Sequence, residues 1–221
     1  MKDKIVIIGG GGHAKLIINT IKKLDKYEII GYTDIINKGS LLGINYLGDD
    51  TVLSGIFTKD NNCKAVIGIV PYEVSNKRQD IYNMLKKIGF ELPVIISKSA
   101  IINEEVNIGE GTVVLEKAMI NVCSNVGKCV MIDSCAIIEH DCNVGNFVHM
   151  AVGSIIGGEV EIADGTIIGV GAKVIQGKKI GHNCLIGEGS IVVNNILIEG
   201  TYFGIPARRF EINDEFDRMI K

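Results

Sequence analysis

The chain has 221 residues, 23 Lys+Arg against 26 Asp+Glu, a formal net charge of −3 and 47% hydrophobic residues. That length suits one or two domains with a core of their own, so no staple of disulfides or metal is required. The acidic balance argues against a nucleic-acid binder, and no apolar run approaches the roughly 18 residues of a membrane span. The N-terminal apolar stretch is too short for a signal peptide, so the six cysteines read as reduced thiols in the cytoplasm.

Composition divides the chain. Of the twelve Phe and Tyr residues, seven precede residue 96, four follow residue 198, and only Phe147 lies between. Pro71, Pro93 and Pro206 also fall outside that middle stretch. The expected parts are therefore 1–95, 96–198 and 199–221.

The first part alternates strands with helices. Lys4–Ile8 predicts a strand and Gly9-Gly10-Gly11-Gly12-His13 a tight loop. Ala14–Leu24 predicts a helix with Leu16, Ile17, Thr20, Ile21 and Leu24 on one face. Glu28–Tyr32 predicts a second strand ending in Thr33-Asp34, and Thr51–Thr58 a short helix. Lys64–Val70 predicts a third strand, Tyr72–Ile88 a helix and Glu91–Ile96 a fourth strand. Such alternation implies an α/β domain with a parallel sheet.

Gly9-x-Gly11-x-x-Ala14 fits the dinucleotide fingerprint, and Asp34 stands about twenty residues on, at the end of strand two. Glycines let backbone N–H groups approach a phosphate at a helix N-terminus, where the dipole favours negative charge. Four strands make half of a dinucleotide fold, which suits a mononucleotide at the strand ends. The alternative is a glycine loop used only for packing.

The middle is a six-residue repeat. Stepping by six from Ile96 to Ile198 gives eighteen aliphatic residues, counting Met150. That period is neither helical nor plain strand; it is the hexapeptide signature of a parallel β-helix. With the large aliphatic as first position, the fifth is Ala, Val, Thr, Ser or Cys in fifteen of seventeen hexads. First and fifth positions both face inward. The second is Gly in seven hexads, including Gly109, Gly127, Gly145 and Gly187, and Gly tolerates the positive φ of a turn. Each hexad is then one short strand and one corner.

This frame places His140 and Asp141 on a corner and His149 on an outward strand position. His182 falls on a different corner from His140. Cys123, Cys129 and Cys135 occupy three different corners, whereas Cys142 and Cys184 face inward. Lys178, at an inward position, suggests a bulge or a snorkelling side chain. The tail from Glu211 suits a short helix capping the last coil.

Gly-Gly-Gly-His-Ala at 10–14, hexapeptide coils with Ile138-Glu139-His140-Asp141-Cys142, and Gly204-Ile205-Pro206-Ala207 follow one another along nearly the whole chain. Together they resemble the PglD/NeuD-like sugar acyltransferase family. The resemblance implies a half-Rossmann domain followed by a left-handed β-helix, three hexads to a coil, assembled as a homotrimer. It implies acetyl transfer from acetyl-CoA to the amino group of a nucleotide-activated sugar, such as a UDP-4-amino-4,6-dideoxy sugar, in surface-glycan synthesis. His140 would be the general base and Asp141 its orienting carboxylate. His149 and the backbone near Gly158 and Val170 would contact acetyl-CoA. Gly11, Gly12, His13, Asp34 and Gly68 would line the acceptor site.

Neutral imidazole is available at pH 7, and a positioned base of this kind gives about 10²–10⁴-fold. No metal is expected: a metal hydratase on the same coil, like γ-class carbonic anhydrase, would need three histidines, two of them five apart, and His13, His140, His149 and His182 supply no such pair. A nicotinamide-dependent oxidoreductase would need the missing half of the sheet. O-acetylation of sialic or related nonulosonic acids stays open, as does a non-catalytic trimeric partner of a sugar-pathway enzyme.

Overall fold

The computed structural model describes residues 2–70 and 74–210. The first domain is a four-stranded parallel sheet: β1 (Asp3–Ile8), β2 (Tyr27–Thr33), β3 (Tyr46–Gly48) and β4 (Lys64–Ile67), in the order β3-β2-β1-β4. Ile5, Val6, Ile7 and Ile8 are all fully buried, as a parallel strand covered on both faces requires. Helix α1 (Gly12–Leu24) covers one face through Ala14, Ile17, Ile18 and Ile21. Helices α2 (Leu53–Lys59) and α3 (Lys77–Ile88) cover the other through Leu53, Ile81 and Leu85. Each fully buried Ile contributes about 1.5–3 kcal/mol.

Three expectations for this domain are corrected. The fourth strand is Tyr46–Gly48, not Glu91–Ile96. Glu91 makes only a bridge to Lys64, and the amide of Ile95 donates to Thr112 O, so Ile95–Ile96 already belongs to the next domain's ladder. Helix α3 begins at Lys77 rather than Tyr72, and residues 71–73 lie outside the described residues. Leu16 is exposed, and Ile18 takes its place in the buried stripe of α1.

From Ile95 the chain winds as a left-handed β-helix of two-residue strands. Strands pair in parallel with those 18 residues on, as Asn125 with Asn143 and Ile137 with Ile155. Three sheets result, beginning at Ile95–Ile96, Ile101–Ile102 and Asn107–Ile108; these are the first, second and third sheets. The first corner joins the first and second sheets, the second corner joins the second and third, and the third corner closes the triangle. First- and fifth-position residues fill the interior, among them Ile120, Ile138, Met150, Ala136, Cys142 and Val148, all fully buried. Inward hydroxyls are satisfied by the coil itself: Ser124 Oγ donates to Glu139 O at 2.8 Å and accepts from the Cys142 amide at 3.1 Å.

The second-position glycines serve packing, not positive φ. The left-handed residue is the fourth of the hexad, whether Gly (Gly153, Gly171) or not (Cys123, Cys135, Asp141, with φ near 60°). A Cβ on Gly109 would lie 2.6 Å from the backbone of Gly127, one coil along, and one on Gly127 would lie 2.7 Å from Gly145. Glycine there lets stacked corners touch.

The repeat changes register in its last coil. Ile180 bridges Ile196 rather than Ile198, and Ile186 pairs with Tyr202, so two residues drop out of the count. Ile198 is consequently exposed while Tyr202 fills the core, and the strand Gly200–Phe203 extends the first sheet. Lys178 makes no bulge: its carbonyl accepts from the Glu161 amide at 2.9 Å in unbroken register. The tail from Glu211 lies outside the described residues.

The N-terminal domain rests on the first sheet. Outward residues Ile95, Val113 and Met131 pack against Ile5, Ile7, Ala14, Ile17 and Ile21. Glu116 adds hydrogen bonds from Asn19 and Thr20 of α1 and an ion pair with Lys23. The register change is testable by chemical denaturation: Tyr202→Ala should cost about 3 kcal/mol or more, and Ile198→Ala less than about 0.5 kcal/mol.

Candidate functional site

At the carboxyl ends of β1, β2 and β4 lies a cavity of about 630 Å³. It is lined by the glycine loop, His13, Asp34, Lys38, Gly68 and Arg78. The four glycines divide in role. A Cβ on Gly9 would meet Ile69 at 2.6 Å and one on Gly10 would meet the Tyr32 ring at 2.7 Å, so these two serve packing. Gly11 and Gly12 have nothing within 4 Å of a Cβ, so they face open space at the start of α1. A Cβ on Gly68 would lie 3.1 Å from Ala14, and Gly68 also lines the cavity.

Asp34 shapes the loop. Its Oδ2 accepts from the Gly10 amide at 2.7 Å, its Oδ1 from the Ile36 amide at 3.1 Å, and Lys38 pairs with it at 3.4 Å. Partial burial opposes the charge, but these N–H groups and the ammonium hold the carboxyl below its ordinary range.

His13, the second residue of α1, reaches the β-helix. Its Nδ1 lies 3.7 Å from Asp133 Oδ1, and the other oxygen of Asp133 is 2.9 Å from His149 Nε2. All three side chains are at most 10% exposed. Arg78, the second residue of α3, is buried beside them and donates to Cys129 O and Phe147 O on the third corner. Burial pushes the His13 imidazole down to about 4, more than Asp133 raises it, and lowers the Arg78 guanidinium to about 10. His149 does point out of the coil, but the N-terminal domain covers it, so it faces an interior rather than solvent.

His140 and Asp141 stand on the second corner, away from that cavity. Asp141 sits in the left-handed conformation, with φ 58°. Its Oδ2 is 2.8 Å from His140 Nδ1, and both side chains are well exposed. The hydrogen bond to Asp141, reinforced by its charge and those of Glu139 and Glu159, raises the His140 imidazole above its ordinary value. Gly158, one coil on, lies under the ring: a Cβ there would be 2.5 Å from His140 Cε1 and Nε2. Cys142 is inward, and burial pushes its thiol up to about 11, so it is no nucleophile.

Within one chain the expected residues thus form separate groups. His140, Asp141 and Gly158 share the second corner. Gly11, Gly12, His13, Asp34 and Gly68 share the cavity, with His149 joined to them through Asp133. Val170, half-exposed, stands on the first corner. Asp133 and Arg78 were not singled out in the sequence, although Asp133, sixteen residues before His149, falls within reach of its outward strand position once the coil is known. Among the described residues no group of three or more His, Cys, Asp or Glu is placed to hold a metal, and no helix is long and apolar enough to cross a membrane.

Two measurements follow. Gly10→Ala should lower stability by about 1–3 kcal/mol through the clash with Tyr32, whereas Gly11→Ala should leave Tm unchanged. His13 binds its proton more readily unfolded, with an ordinary value of 6.5, than folded, at about 4. Stability should therefore fall as pH drops below about 6.5, by up to roughly 3 kcal/mol once it reaches about 4. In pH-dependent denaturation His13→Gln should flatten that part of the curve.

Residues 4–85 match the family model of the PglD N-terminal domain. No curated protein matches the chain. A GDP-perosamine N-acetyltransferase from Caulobacter crescentus, a histidine-to-alanine variant in complex with CoA and GDP-perosamine, is 28% identical. The match covers 95% of this chain and 97% of that one, with a TM-score of 0.88. The acetyltransferase domain of PglB from Neisseria gonorrhoeae FA1090, in complex with acetyl coenzyme A, is 28% identical over 95% and 100% of the two chains, with a TM-score of 0.87. WeeI from Acinetobacter baumannii AYE shares the fold at 20% identity, 95% and 100% coverage and a TM-score of 0.71. The PglD-type domain, the hexapeptide coils and these likenesses mark the chain as an acyltransferase similar to the PglD/NeuD-like sugar enzymes.

Proposed function

We propose that this chain moves an acetyl group from acetyl-CoA to the amino group of a nucleotide-activated sugar in the cytoplasm, for surface-glycan synthesis. The observation that carries this reading is the His140–Asp141 pair. Asp141 accepts from Nδ1–H, which leaves the Nε2 lone pair of an exposed imidazole free as a base. The complexes of the Caulobacter enzyme with CoA and GDP-perosamine, and of the Neisseria domain with acetyl coenzyme A, support it.

In the reaction the neutral amine attacks the thioester carbonyl and the new C–N bond forms. His140 Nε2 takes the amine proton, and the carbonyl oxygen becomes an oxyanion. The amide of Gly158 is the donor proposed for that oxyanion. The C–S bond then breaks, and the CoA thiolate leaves with the proton returned from the imidazolium. Asp141 favours that imidazolium. Gly11 and Gly12 present the N-terminus of α1 to the nucleotide phosphates, with His13, Asp34 and Gly68 around them. His149 and Val170 are assigned to the acetyl-CoA side.

A homotrimer would complete the site. The base lies on the second corner, while Val170 lies on the first corner and the acceptor cavity in the N-terminal domain. The second sheet between those corners has a mostly apolar outward row, Ile101, Met119, Ile137, Ile155 and Ile191, interrupted by Lys173 and flanked by exposed Val122, Val152, Val170 and Ile175. The third sheet instead carries Asn107, Asn125, Asn143, Glu161 and Lys179 outward. An apolar face whose two edges carry different halves of a site is suited to a head-to-tail contact that closes as a ring.

The test is CoA-thiol release from acetyl-CoA with UDP- and GDP-linked 4-amino-4,6-dideoxy sugars. His140→Ala should lose at least about 100-fold in kcat/KM. The acid limb of kcat/KM should lie above the ordinary imidazole value, because the base is lost as pH falls through a raised value. Asp141→Asn should move that limb to lower pH. Equal rates for wild type and His140→Ala would remove the base. Release with sialic acid alone would move the reading to O-acetylation.

A further inference from the structure

Asp133 joins the two histidines that the reading above assigns to different cosubstrates. His13 lines the acceptor cavity, and His149 is assigned to acetyl-CoA. Asp133 belongs to neither ligand site by sequence, yet its two carboxylate oxygens face one histidine each, at 3.7 Å and 2.9 Å. The cluster crosses the domain boundary. His13 opens α1 of the first domain, and Asp133 and His149 belong to the β-helix.

Its chemistry fixes where the protons sit. An ionised carboxylate only accepts, so His149 Nε2 carries the hydrogen and Nδ1 keeps its lone pair. A lone pair on His13 Nδ1 would face the Asp133 charge, so that nitrogen also carries its hydrogen and Nε2 is the bare acceptor. The depressed His13 proton affinity keeps that imidazole neutral. The two nitrogens left bare, His13 Nε2 and His149 Nδ1, are buried without a protein hydrogen-bond partner among the described residues, as are Asp133 Oδ1 and Arg78 Nε; at 3.7 Å the His13–Asp133 contact is electrostatic rather than a hydrogen bond. Unpaired buried acceptors are costly. Two of them, set by one carboxylate beside a ligand cavity, fit donors supplied by bound molecules. Arg78 is the other charge facing this cluster, and it disfavours a charged His13.

We propose that Asp133 is a positioning residue. It holds His13 and His149 in complementary tautomers, so that each offers a bare nitrogen to an O–H or N–H donor of its cosubstrate, and it ties the geometry of the two ligand sites together. The idea rests on the acetyltransferase reading for its ligands, but not for its tautomers.

The first experiment is therefore on the wild-type protein without substrate. It uses two-bond ¹H–¹⁵N correlation of its four histidines at pH 7. The expected result is His13 protonated on Nδ1 and His149 on Nε2. His13 protonated on Nε2, or either ring as imidazolium, overturns the proposal. The second is steady-state kinetics with acetyl-CoA and the 4-amino sugar nucleotide. Asp133→Asn presents one acceptor and one donor in place of two acceptors, so one tautomer must invert. KM for both cosubstrates should rise at least tenfold with kcat changed less than threefold, and Asp133→Glu should recover part of the loss. A fall in Tm with both KM values within twofold of wild type would mean a structural role only and overturns the proposal. Absence of acetyl transfer by wild type would sink the enzymatic reading, and the tautomers would still decide whether Asp133 sets the two rings.

Discussion

The structure depends on one constraint: each coil must stack on the last with its backbone hydrogen bonds in register, 18 residues apart. Strands in that direction lie about 4.7–4.9 Å apart, so residues 18 apart form columns. Val122, His140, Gly158 and Gln176 make one such column on the second corner. His140 is therefore placed by repetition rather than by a special loop. Its neighbour in the column must be small, because a side chain at Gly158 would occupy the space of the imidazole. The fourth-position residue must accept positive φ, and Asp tolerates that better than a branched residue. One corner geometry thus sets both halves of the dyad.

The same columns explain how the domains join. The sixth-position residues of the first sheet are Ile95, Val113 and Met131 where α1 covers them, and His149 where the polar cluster begins. The apolar part supplies adhesion. The polar part works against it, because buried polar groups without partners are costly. An interface built for stability alone would carry aliphatic residues at 133 and 149 as it does at 131.

The coils were legible because two inward positions in each hexad repeat without interruption. The sheet order of the first domain was legible only in part. Tyr46–Gly48 is three residues long with no apolar pattern, so it left no mark, and Glu91–Ile96 had the pattern of a strand but pairs with the coil. The register change near Ile196 was hidden because Ile196 and Ile198 are both aliphatic; burial alone distinguishes them. The cavity glycines and His140 could be read from local motifs. Asp133 and Arg78 could not, because their meaning comes from residues 16, 51 and 69 positions away that only the fold brings together.

Orientation is the remaining link between fold and chemistry. A transfer between two bound cosubstrates gains most from holding them in line. The β-helix holds His140 rigidly, since every coil is bonded to the next. The glycine-loop cavity belongs to a separate α/β unit whose placement depends on the first-sheet contact, on Glu116 with Asn19, Thr20 and Lys23, and on Arg78 with the carbonyls of Cys129 and Phe147. These contacts reach α1 and α3, the two helices whose first turns line the cavity. Any tilt of the domain on the coil moves the glycine-loop cavity relative to His140, so the polar contacts at this boundary govern the alignment that the proposed transfer requires.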